Sequence, residues 1–76
     1  MKEGGEQTVF KNLEAEMARE NVSTFDIARV IKKTERTVRN KMDGITAFSF
    51  YETLKIRNAF FPKLSTEYLF AETEEE

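Results

Sequence analysis

Two short stretches, "STFD" at residues 23–26 and "SFYE" at 49–52, constrain this chain more than any other feature. Each reads as a capping box. The serine side chain accepts the amide three residues on, and the acid at that position reaches back to the serine's own amide. Such a pair marks the start of a helix. Pro62 stops the helix after the second box, and Gly44 stops the helix between the two boxes. The chain is therefore cut into short helices that must bury their apolar faces against one another.

Apolar periodicity fills the pieces. From Thr8 onward Val9, Leu13 and Met17 recur at every fourth residue with Phe10 beside them, which predicts a first helix that "ENVS" breaks. After Ser23, the residues Ile27, Val30 and Ile31 give an inner face, and Ala28 lets a neighbouring helix come close. Thr34 is the next cap and opens a helix over residues 34–43. Ser49 opens a fourth that stops at Pro62, and Ser65 caps a last turn in "LSTEYLF". The prediction is an all-α domain of five helices over residues 8–71. Residues 1–7 are expected to be a flexible end and residues 72–76 a disordered acidic tail.

The fourth helix carries two apolar stripes. At about 100° per residue Phe50, Leu54 and Phe61 share one face, while Ile56 and Phe60 lie well around it. Either the final helix covers the second stripe through Tyr68, Leu69 and Phe70, or a second copy of the protein does. Phe60, Phe61, Tyr68 and Phe70 are the candidates for a weak homodimer contact.

With 76 residues and neither Cys nor His, the chain cannot use disulfides, Cys/His zinc sites, thiol nucleophiles or imidazole chemistry. No carboxylate pair stands out from the surface charges, so neither enzyme nor cofactor nor metal is expected. No apolar run approaches the ~18 residues of a membrane span, and "MKEGGEQ" lacks the pattern of a signal peptide. A cytoplasmic setting is the expectation.

The net charge of −2 is unevenly spread: residues 7–66 hold eleven Lys/Arg against seven Asp/Glu. Five of those bases fall in "KKTERTVRNKMDG", residues 32–44. On a helical wheel Val38 and Met42 make the only inward stripe there. Arg36 and Asn40 stand one turn apart, about 160° from Val38 on either side. Arg39 and Asp43 flank them, with Thr37 opposite. Arg and Asn are the side chains that bond two atoms of one base at once, Arg on guanine and Asn on adenine. Two short helices, the second with such a face, suit a helix-turn-helix entering the major groove.

The stretch "VSTFDIARVIKKTERTVRNKMDG", residues 22–44, resembles the helix-turn-helix of the lambda-repressor-like (Cro and XRE) family, with the motif at 23–44. The matching residues are Ser23, Ile27, Ala28, Ile31, Thr34, Thr37, Val38 and "NKMDG" at 40–44. A weaker likeness extends over residues 9–71, and "FFPKLSTEYLF" is similar to the closing segment of small prophage members. The resemblance implies a compact five-helix DNA-binding domain that acts as a dimer on a near-palindromic double-stranded operator. It places Glu35, Arg36 and Asn40 at base edges. Thr24, Lys32, Lys33, Thr34, Thr37, Arg39, Lys41 and Thr46 fall near phosphates, with the loop Gly44-Ile45-Thr46 along the backbone.

The chain departs from that pattern at Thr24 and at the turn. Many members have Gln in place of Thr24, whose longer amide reaches both a phosphate and a neighbouring side chain. The turn between the motif helices commonly has Gly followed by an apolar residue, where this chain has Lys32 and Lys33. A lysine held at positive φ costs about 1 kcal/mol relative to Gly, and a lost apolar plug loosens the turn. The competing expectation is a helix-turn-helix scaffold that binds protein instead of DNA. Salt separates the two, because phosphate contacts weaken steeply as it rises.

Overall fold

The computed structural model describes residues 8–72. The expectations for residues 1–7 and for the tail beyond Glu72 lie outside them. Five helices follow in order: α1 Lys11–Glu20, α2 Thr24–Ile31, α3 Glu35–Met42, α4 Phe50–Phe60 and α5 Thr66–Leu69. Among the described residues there is no strand.

The serine caps behave as the sequence predicts. Ser23 Oγ accepts from the Asp26 amide at 3.1 Å and Asp26 Oδ2 accepts from the Ser23 amide at 3.0 Å. Ser49 and Glu52 make the same exchange at 3.0 and 2.9 Å, and Ser65 Oγ accepts from the Tyr68 amide at 3.0 Å. Each exchange satisfies amides that a helix start leaves without intrahelical partners.

The first helix starts later than periodicity suggests. The Thr8 hydroxyl and the Val9 amide both donate to the Met42 carbonyl, at 2.8 and 2.9 Å. Residues 8–10 thus form a bent strap across the end of α3, and helix begins only at Lys11. Within that strap Val9 Cγ1 lies 3.2 Å from where a Cβ on Gly44 would fall. Gly44 itself has φ +84°. Both facts favour glycine at this turn.

Each helix sends one apolar side chain to zero exposure: Leu13, Ile27, Val38, Ile56 and Leu69. Burying such a side chain contributes about 1.5–3 kcal/mol, so these five dominate the packing. Phe10, Phe48 and Phe70 close one end as three edge-to-face rings with centroids 5.2–5.9 Å apart. Asn12 Nδ2 donates to the Tyr68 carbonyl at 2.9 Å and the Tyr68 hydroxyl donates to Glu16 at 2.8 Å, which lays α5 along α1.

The expected inner face of α4 is corrected. Phe50 is 73% exposed, and the side chains turned inward are Glu52, Thr53 and Ile56. Glu52 and Ile56 lie one turn apart on one side, about 160° and 120° from Phe50 at the helix start. What sets the rotation is a charge: Glu52 faces two lysines across the domain.

Candidate nucleic-acid interface

Between α2 and α3 the chain turns in three residues, Lys32 to Thr34. Lys32 takes the left-handed conformation, φ 61° and ψ 45°, and the Lys33 amide donates to the Ala28 carbonyl at 3.0 Å. The conformational cost foreseen for a lysine here is therefore present. Thr34 caps α3, accepting from the Thr37 amide at 3.1 Å and donating its hydroxyl to Thr37 Oγ1 at 3.0 Å.

Val38 is fully buried and Met42 is 6% exposed, which seats α3 on the core by one narrow stripe. Opposite that stripe Arg36 is exposed and Asn40 partly so. Neither side chain has a hydrogen bond or ion pair among the described residues. The Asn40 carbonyl accepts from the amides of Ile45 and Thr46, at 2.9 and 3.4 Å, and so draws the loop after α3 against that helix. Lys32 and Thr46 are exposed, as is Asp43.

Other predicted site residues are held to one another. Glu35 Oε2 accepts the Thr24 hydroxyl at 2.7 Å and Arg39 Nη2 at 3.4 Å. The link ties the first residue of α2 to the first of α3.

Lys41 is corrected from the phosphate-facing position expected of it. Its ammonium donates to the Ala47 carbonyl at 2.8 Å and lies 3.2 Å from Glu52 Oε1, with its side chain 11% exposed. Periodicity carried the signal, since Lys41 sits only about 60° from Val38 on the wheel. Lys33, 47% exposed, lies 3.1 Å from Glu52 Oε2. An ion pair thus replaces the apolar plug whose absence was expected to loosen the turn.

Glu52 is the residue that sequence reasoning assigned only as a cap. Burial raises the pKa of its carboxyl. The Ser49 amide and the ammonium groups of Lys33 and Lys41 outweigh that effect and hold it below the ordinary value. One buried side chain thereby joins the turn before α3, the last turn of α3 and the start of α4.

The four residues proposed for a dimer contact divide. Phe61 is 3% exposed in its own core, and Phe70 is engaged with Phe10 and Phe48, so neither aromatic ring is spare. Phe60 is partly buried, while Tyr68 is 40% exposed and bonded to Glu16, which raises its pKa. The larger exposed apolar side chains are others: Phe25, Ile45, Phe50 and Tyr51. The ammonium of Lys55 lies 5.1 Å from the Tyr51 ring centroid, and the Arg29 guanidinium lies 6.0 Å from that of Phe25.

Among the described residues no helix is long and apolar enough to cross a membrane. No protein-family model, curated protein or solved structure matches the chain.

Proposed function

We propose that this chain is a lambda-repressor-like regulator of the Cro and XRE type that reads double-stranded DNA by laying α3 in the major groove. The observation that carries the reading is the state of the polar side chains around α3. Several are already paired: Lys41 and Lys33 with Glu52, and the exposed Arg39 with Glu35. The outward pair, Arg36 and Asn40, has no partner among the described residues. Arg36 then bonds guanine N7 and O6, and Asn40 bonds adenine N6 and N7.

Phosphate contacts come from Lys32, the open side of Lys33, the remaining donors of Arg39 and the hydroxyls of Thr37 and Thr46, because the Thr34 hydroxyl is given to Thr37 and the amides of Gly44, Ile45 and Thr46 to carbonyls of α3. A helix of this length reads few base pairs, so two copies on a near-palindromic operator, about 34 Å apart, supply the specificity. Occupying a promoter in the cytoplasm makes repression the default outcome.

The exposed apolar side chains Ile45, Phe50 and Tyr51 favour a second reading, a scaffold that docks another protein. A fluorescence titration of randomised duplex at about 50 and 200 mM salt separates the two. With Lys32, Lys33 and Arg39 as the phosphate-contacting cations, the expected log–log salt slope is about −2 to −3 per protomer. No binding at the lower salt would remove the DNA reading.

A further inference from the structure

We infer that Glu35 selects cytosine at one position of each half-site, an inference that rests on the DNA reading above. The carboxylate is anchored through a single oxygen. Oε2 accepts both the Thr24 hydroxyl, at 2.7 Å, and Arg39 Nη2, at 3.4 Å. Oε1 has no partner among the described residues, and the side chain is 43% exposed. A free glutamate must be ordered when it binds, at an entropic cost. Here Thr24 from α2 and Arg39 one turn along α3 have already fixed it.

The remaining oxygen can only accept. In the major groove guanine offers the acceptors N7 and O6, and thymine offers O4 and a methyl group, so the carboxylate is repelled by the first and unpaired at the second. Two amino donors are left, cytosine N4 and adenine N6. The adenine amino group sits between two acceptors, its own N7 and the O4 of its thymine partner. The cytosine amino group has an acceptor on one side only, the guanine O6. A carboxylate therefore meets less repulsion at cytosine. The anchor does not consume the arginine, because a guanidinium has five donors and Glu35 takes one. Arg39 can hold Glu35 and touch a phosphate together.

Selection from randomised duplexes by wild type, Glu35→Gln and Thr24→Val tests the assignment. The wild-type motif should carry cytosine at one position per half-site, preferred on the order of tenfold. Glu35→Gln, whose one carbonyl oxygen stays with Thr24 and Arg39, should present its amide NH2 to the groove and move that position to guanine, whose N7 and O6 accept. Thr24→Val, which removes the hydroxyl and keeps the branched shape, should retain cytosine with a weaker preference and leave the remaining positions unchanged. A wild-type motif that Glu35→Gln leaves unaltered overturns the role of Glu35 while the DNA reading stands. Failure of the wild type to select any motif overturns both.

Discussion

Glu35 and Glu52 stand at opposite sides of α3, and each gathers groups from two or more segments. Glu35 holds Thr24 and Arg39 with its side chain 43% exposed. Glu52 holds Lys33, Lys41 and the Ser49 amide with 9% exposed. The contacts are similar in kind and differ in solvent. A half-exposed ion pair is screened and contributes little, whereas breaking a buried one strands a charge in low dielectric. Glu52 accordingly fixes where α3 sits, and Glu35 contributes little to that placement.

The largest expected effect lies on the buried side. Glu52→Ala leaves the Lys41 ammonium with the Ala47 carbonyl and the Phe48 ring but no counter-charge, and should destabilise the fold by about 3 kcal/mol in urea denaturation. A loss under about 1 kcal/mol would make the two carboxylates equivalent and erase the distinction. The pH dependence follows the same site. Because the folded-state pKa of Glu52 is lowered, its contribution is present above the ordinary carboxylate range and disappears as pH falls through the folded value. Glu52→Gln should flatten that acid limb of the stability–pH curve.

An intermediate effect comes from the turn that Glu52 secures through Lys33. Lys32→Gly should stabilise the protein by about 1 kcal/mol, since glycine adopts φ 61° without a Cβ penalty. A neutral or destabilising result would mean that the lysine stem contributes packing that offsets the strain.

The smallest effect is expected at Glu35. Glu35→Ala should change stability by no more than about 0.5 kcal/mol, the usual size of an exposed pair one helical turn apart. A cost comparable to that of Glu52→Ala would show that Glu35 is a structural element of the α2–α3 junction.

What the sequence made legible was local. Ser23, Ser49 and Ser65 find their partners within three residues, so helix starts could be read from four-letter stretches. The outward placement of Arg36 and the burial of Val38 and Met42 follow from one wheel. The inner face of α4 was not legible, because two apolar stripes competed and the deciding partner of Glu52, Lys33, lies 19 residues away. The late start of α1 has the same origin. The Thr8 hydroxyl is used at Met42, 34 residues on, and no local pattern announces it. For Phe61 and Phe70, apolar character alone could not say whether a ring would fill its own core or a neighbour's.

The most direct test of DNA reading by α3 is a paired titration of wild type and Arg36→Ala/Asn40→Ala, first on a selected duplex and then on a scrambled one at equal salt. The expected result is a selective loss. The double variant should bind the selected duplex at least tenfold more weakly than wild type, and the scrambled duplex within about threefold of it. Equal binding of the selected duplex by both proteins would contradict base reading by the outward face of α3. Absence of binding by either would turn attention to Ile45, Phe50 and Tyr51 as a protein-docking face.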